Sequence, residues 1–139
     1  MTTSQEQTII QFLPHRAPMI MVDTLLDHNQ PGIRTQFTIQ SDNIFVEDGL
    51  FTTPGIIENI AQSVAADAGR KARMNAQNPP VGFLAGIKRL KVYQLPTVGS
   101  TITTEVHLHS QARNIGIFRG RVYCNDTCLI ECEVTIVRA

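Results

Sequence analysis

Hydrophobic positions recur at two different periods along this chain. From Thr53 onward, Ile57, Ile60, Ala61, Val64, Ala65 and Ala68 fall at helical spacing and make one apolar face. Thr53 is placed to act as N-cap, and Pro54 fits the first helical position, where its missing N–H would be unsatisfied anyway. The pattern predicts one long helix running to about Asn75, with Gly69 marking a tightly packed or fraying part. Its small residues suit close packing against something flat.

Elsewhere the period is two. Ile33, Thr35, Phe37 and Ile39 alternate with Arg34, Gln36, Thr38 and Gln40. Ile102, Val106 and Leu108 alternate with polar neighbours in a strand predicted over 101–110. Cys128, Ile130, Cys132, Val134 and Ile136 oppose Glu131, Glu133 and Thr135 in the last one. Further strands are predicted over 19–26, 81–94 and 115–124, the first pairing with 33–40 as a hairpin through a turn at 28–32. Asn125-Asp126 is read as a tight turn, 41–52 as irregular, and 4–13 as a short helix ended by Pro14 and Pro18. The order is helix, two strands, a long helix, four strands, with no βαβ alternation, repeat or linker. That order predicts an α+β fold in which an antiparallel sheet wraps around one central helix, as a single domain over residues 1–139.

Composition and charge narrow the function classes. Twelve Lys and Arg balance twelve Asp and Glu, which argues against nucleic acid as the main partner. No apolar run reaches the roughly 18 residues that span a bilayer. Met1 to Glu6 lacks the basic and apolar regions of a signal peptide, so a cytoplasmic location is expected, with no membrane partner. Cys124, Cys128 and Cys132 read as reduced thiols filling a sheet, and no metal site or cofactor is expected.

The candidate chemistry lies at the start of the long helix. Glu58 and Gln62 are four apart and share a face. A carboxylate beside a buried helix face is costly unless it is paired or used. Gln62 is placed to hydrogen-bond Glu58 or a substrate, and Asn59 to cap or be solvated. His15, between two prolines, is a second candidate for proton transfer, and Glu47 and Asp48 precede the helix. His107 and His109 fall on the polar side of a strand and read as exposed.

Four stretches in order resemble the hotdog-fold 3-hydroxyacyl-acyl-carrier-protein dehydratases. They are Leu13-Pro14-His15-Arg16-Ala17-Pro18 with the apolar run to Val22-Asp23, Pro54-Gly55-Ile56-Ile57-Glu58-Asn59-Ile60-Ala61-Gln62, Phe83-Leu84-Ala85-Gly86-Ile87, and Leu95-Pro96-Thr97-Val98-Gly99-Ser100. The resemblance covers nearly the whole chain. It implies a dimer whose sheets join edge to edge, with an acyl tunnel at the interface. It also implies catalysis by a helix carboxylate and a histidine from the preceding loop, contributed by different subunits.

Glu58 matches that carboxylate. Gly55 and Ile56 match the helix start, whose N–H groups would polarise the thioester carbonyl. Leu50, Phe83, Ala85, Gly86 and Gln62 fall where substrate would be lined. Lys88, Arg89, Lys91 and Arg121 form a basic cluster suited to steering an acidic acyl carrier protein. The chain departs from the pattern at Gly49-Leu50-Phe51, where leucine stands in place of the loop histidine. No histidine lies between His28 and His107. The stretch from Asn43 to Glu58 is more similar to dehydratase-like members found with aryl-polyene-type biosynthesis.

The expected activity is therefore dehydration of 3-hydroxyacyl thioesters, carried by acyl carrier protein or coenzyme A, in fatty-acid or polyketide/polyene-type synthesis. Two alternatives stand beside it. One is an acyl thioesterase using Glu58 without a histidine. The other is an impaired acyl-binding subunit that partners an active dehydratase. A homodimer or higher homo-oligomer, or a hetero-complex with another dehydratase, is expected.

Overall fold

A computed structural model describes residues 9–26 and 32–139. The central helix, α1, spans Thr53–Met74. Six strands form one antiparallel sheet: β1 (Thr24–Leu25), β2 (Ile33–Thr38), β5 (Gly82–Val92), β6 (Thr101–Ala112), β7 (Ile115–Cys124) and β8 (Thr127–Arg138), in the order β1-β2-β6-β7-β8-β5. A two-stranded ribbon, β3 (Val46–Glu47) with β4 (Leu50–Phe51), precedes α1.

The period-two positions meet the period-3.6 positions. Ile33, Phe37, Ile102, Val106, Phe118, Val122, Ile130, Val134 and Ile136 on the inner sheet face pack with Ile56, Ile57, Ile60 and Val64 of α1 in one core. At about 25 cal/mol per Å² of apolar surface, each such side chain contributes roughly 1.5–3 kcal/mol. A smaller cluster of Ile9, Leu13, Val22 and Ala66 covers the opposite side of the helix. Thus α1 is buried on two sides, not along the single face that its periodicity suggested. Ala66, outside that face, is fully buried.

The second cover is a strap formed by residues 9–22. Residues 9–12 are helical, and the earlier part of the expected first helix lies outside the described residues, as does most of the 28–32 turn. The strap crosses α1 at Gly69, where any Cβ would collide with the backbone of Phe12. Gly69 therefore marks tight packing, not fraying.

The expected strand over 19–26 shortens to Thr24–Leu25. The reason lies in two buried amides of α1. Gln62 Oε1 accepts from the Met21 N–H at 2.7 Å, and Gln62 Nε2 donates to Met19 O at 2.7 Å. Asn59 Nδ2 donates to Met21 O at 2.7 Å. Helix side chains thus serve the backbone groups that a neighbouring strand would otherwise serve.

Other boundaries differ modestly. Thr52, not Thr53, is the N-cap residue, and its hydroxyl donates to Phe45 O at 2.6 Å instead of capping the helix. The irregular stretch contains a hairpin, because Asp48 and Gly49 both take positive φ (52° and 77°). Leu129 is an extra residue in β8 opposite the Val122/Tyr123 step, so Leu129 and Ile130 are both buried. Asn125, at φ 55°, turns the β7–β8 hairpin as its sequence suggested.

Strand β5 is an edge. It pairs with β8 alone in the sheet order, through two register shifts, and leaves Phe83, Leu84, Ile87, Leu90 and Val92 exposed.

Candidate active site

The strap brings His15 to the first turns of α1. His15 Nε2 lies 3.6 Å from Glu58 Oε1, and both side chains keep just under a third of their surface accessible. The separation is an ion-pair distance, too long for a direct hydrogen bond. Glu58 Oε1 also accepts from Gln62 Nε2 at 2.9 Å. Because the Met21 N–H fixes which end of the Gln62 amide is the acceptor, Nε2 can only donate to Glu58. His15 Nδ1 is buried and finds no partner among the described residues, which leaves Nε2 as the ring nitrogen on the Glu58 side.

Behind Gln62 the polar chain continues inward. Asn59 Oδ1 accepts from the Thr104 hydroxyl at 2.6 Å, Ser63 Oγ donates to Asn59 O at 2.8 Å, and the Thr35 and Ser63 hydroxyls lie 2.8 Å apart. Asn59, Gln62, Ser63, Thr35 and Thr104 are all fully buried. Asn59 is therefore neither a cap nor a solvated residue. It ties the strap to α1 and α1 to β6.

His15 and Glu58 open on a cavity of about 240 Å³ between α1 and the inner sheet face. Ala61, Val64, Ala65 and Ala68 form its helix side, Phe83, Leu84, Phe118 and Ile136 form the apolar part of the facing side, and Gln111, Asn114 and Arg138 add polar groups there. The small residues that suggested close helix packing instead leave room. From Glu58 to Ala68 the helix rises about 15 Å at 1.5 Å per residue. The cavity is thus a largely apolar slot, with His15 and Glu58 at one end and Gln111, Asn114 and Arg138 also on its wall.

The other sequence candidates are distributed differently. Phe83 lines the cavity; Gln62 lies just behind Glu58. Gly55 and Ile56 are buried, and both N–H groups donate to Thr52 O, at 3.0 and 3.2 Å, as expected of a normal first helical turn. The Phe45 and Phe51 side chains cover Gly55. Within the chain, these two N–H groups are not free for a substrate carbonyl. Leu50 is held in the β3–β4 ribbon, bridged to Thr97, and does not line this cavity. Ala85 and Gly86 lie on the exposed edge strand, at its first register shift.

The basic cluster sits on the outer sheet face. Arg89 is 3.8 Å from Glu133, Lys91 is 4.0 Å and Arg121 is 3.5 Å from Glu131, and Lys88 lies opposite Glu133 in register. Tyr93 donates to Glu131 Oε1 at 2.6 Å. That hydrogen bond, ahead of Lys91 and Arg121, holds the Glu131 carboxyl below its ordinary range and pushes the Tyr93 hydroxyl up. His107 and His109 lie on β6, and neither lines the Glu58 cavity.

Cys132 is buried, and burial pushes its thiol up to about 11. All three cysteines are free. Among the described residues, no group of three His, Cys, Asp or Glu is arranged to hold a metal, and no helix is long and apolar enough to cross a membrane.

A sheet wrapped on a central helix, with a carboxylate at the head of an apolar slot, defines a hotdog-fold protein. A model of the ApeP-like family, described as ApeP dehydratase, matches residues 7–139, and the chain belongs to that family. Among curated relatives it is 26% identical over 151 residues to the 3-hydroxyacyl-[acyl-carrier-protein] dehydratase FabZ of Shewanella baltica, covering 99% of this chain and 94% of the relative. It is 28% identical over 139 residues to FabZ of Methylobacterium radiotolerans, covering 96% of this chain and 88% of that one. Among solved structures it is similar to the dehydratase heterocomplex ApeI:P from Xenorhabdus doucetiae. The TM-score is 0.85 at 23% identity, over 94% of this chain and 90% of that one. The Campylobacter jejuni protein Cj0977 shares the fold at a TM-score of 0.72 and 11% identity, over 100% of this chain and 92% of that one.

Proposed function

We propose that this protein dehydrates 3-hydroxyacyl thioesters borne on acyl carrier protein, with Glu58 carrying one of the two proton transfers. The observation that supports this most is the position of Glu58, partly exposed at the head of a largely apolar slot that is otherwise free of carboxylates. A buried structural carboxylate would be closed off by cations. Glu58 instead faces the open cavity, and the Gln62 amide fixes its orientation.

Dehydration requires loss of a proton from C2, loss of hydroxide from C3, and protonation of that oxygen as it leaves. The acyl chain lies along Ala61, Ala65 and Ala68, and its C2–C3 bond sits beside Glu58. Membership of the dehydratase family and the FabZ relatives favour dehydration over hydrolysis. The exposed apolar edge of β5 suits sheet extension by a second hotdog subunit, either another copy or a second dehydratase, as in the heterocomplex that the fold resembles. Arg89, Lys91 and Arg121 give the outer face cations for an acidic carrier protein.

The test is to incubate the purified protein with a 3-hydroxyacyl thioester of acyl carrier protein and follow enoyl absorbance, free thiol and loss of one water by mass. Enoyl product without thiol release is the expected result. Thiol release without enoyl product would make it a thioesterase. Product formed only after adding a second dehydratase subunit, itself lacking its catalytic residues, would make this chain the active member of a mixed complex. No product under either condition would overturn the dehydratase reading in favour of a binding subunit.

A further inference from the structure

We infer that His15 is the second catalytic residue, and that it acts on the Glu58 of its own chain. The inference rests on the dehydratase reading above and assigns the proton transfer which that reading leaves open.

Three observations carry it. First, His15 Nε2 is 3.6 Å from Glu58 Oε1 within one chain, and both residues line the same apolar cavity. Second, the strap that delivers His15 is fixed to α1 more firmly than a surface loop. Gln62 and Asn59 hold the backbone of Met19 and Met21 through three buried or part-buried hydrogen bonds of 2.7 Å. Arg16 Nη1 donates to Leu13 O and His15 O, bracing the turn on either side of the ring. Gln62 belongs to both halves of the device, since the same amide that docks the strap also donates to Glu58.

Third, Glu58 is the ring's only side-chain partner among the described residues. Its Nδ1 is buried without a partner among the described residues, a cost that an apolar residue would avoid. His15 is the one histidine among the residues lining this cavity.

The chemistry balances with these two groups alone. Neutral His15 takes the C2 proton on Nε2, and the C2–H electron pair becomes the C2–C3 double bond. The C3–O bond breaks, and the Glu58 carboxyl gives its proton to the leaving oxygen, which departs as water. The proton on Nε2 then crosses to Glu58, restoring a neutral histidine and a protonated carboxyl with no net change in the protein. Because the 3.6 Å gap is longer than a hydrogen bond, this reset passes through one bridging water.

The experiment uses His15→Asn and Glu58→Gln, both partly exposed positions at which neither change creates a cavity. Each variant alone should retain the wild-type melting temperature and lose at least about 100-fold in kcat, the usual range for a positioned acid or base, with KM little changed. Wild-type dehydration by Glu58→Gln would take Glu58 out of the chemistry and the His15 pairing with it, whereas absence of enoyl product from the wild type is what overturns the dehydratase reading. Loss in Glu58→Gln with full activity in His15→Asn would leave that reading standing and overturn the role of His15. The two variants are then co-expressed with different tags and purified as a mixed oligomer. A same-chain pair gives no intact site in the mixture, so activity stays at the level of the single variants. Recovery of about half the wild-type rate per dimer would show that the pair forms between chains and overturn the same-chain assignment.

Discussion

Replacing Gln62 with leucine tests the link between packing and chemistry directly. The two side chains are close in size, so the change leaves shape largely intact and removes three hydrogen bonds. Two of the abandoned groups can turn to water: Met19 is more than a third exposed, and Glu58 faces the cavity. The Met21 N–H cannot, because Met21 is fully buried and Gln62 Oε1 is its acceptor. An unsatisfied buried donor costs about 1–3 kcal/mol, partly offset by the greater apolarity of leucine. For a domain of this length, 1 kcal/mol lowers Tm by about 3 °C. The expected result is a Tm lower by roughly 3–9 °C, faster amide exchange at Met21, and a loss in kcat larger than the stability change explains, because His15 rides on the freed strap. Melting by circular dichroism, hydrogen exchange and steady-state kinetics measure the three. A Tm within 1 °C or so of wild type, with Met21 still protected, would refute the claim that Gln62 holds the strap.

Gly69→Ala should gain about 1 kcal/mol in helix propensity and lose more, about 1–3 kcal/mol, by driving a methyl into the Phe12 backbone; a raised Tm would contradict the contact. Ala65→Phe should block the slot about two helical turns beyond Glu58, lowering kcat/KM for long acyl chains more than for short ones, with the fold intact; equal effects at all lengths would remove the acyl chain from this cavity. The Cys132 thiol, raised to about 11 in the folded chain and near 8.5 when unfolded, keeps its proton longer in the native state. Its contribution to stability is therefore complete below about pH 8.5 and declines as pH rises toward 11. Denaturant titrations across that window should show a decline that Cys132→Ala lessens, and Cys132 should be the slowest of the three thiols to alkylate at pH 8.

Half of this site could be read directly. Glu58 stood out because a carboxylate so near an apolar helix face needs a reason, and the family resemblance made it the catalytic candidate. His15 was visible as a residue, but nothing local showed that it meets Glu58, since 43 residues separate them. The Asp48-Gly49 pair carried a hairpin signal that the irregular reading of 41–52 passed over, and that hairpin is what holds Leu50 away from the slot. Gly55 and Ile56 show the reverse error. A helix N-terminus suggests free N–H groups, yet Thr52 O takes both.

What the sequence by itself determined was the long helix, the main strands, and one apolar face each of α1, β2, β6 and β8. Periods of two and 3.6 encode which face of a strand or helix is apolar, and burial of those faces leaves few arrangements for one sheet and one long helix. Tertiary structure decided everything that depends on contacts between distant residues. It covered α1 on a second side, because the helical spacing of Ile9 and Leu13 marks an apolar side without saying that it docks on Ala66. It turned the alanine row from a packing surface into a cavity wall, because the sheet stands away from it there. It also set His15 against Glu58, through hydrogen bonds between helix amides and strap backbone that no pattern of side chains in either segment specifies.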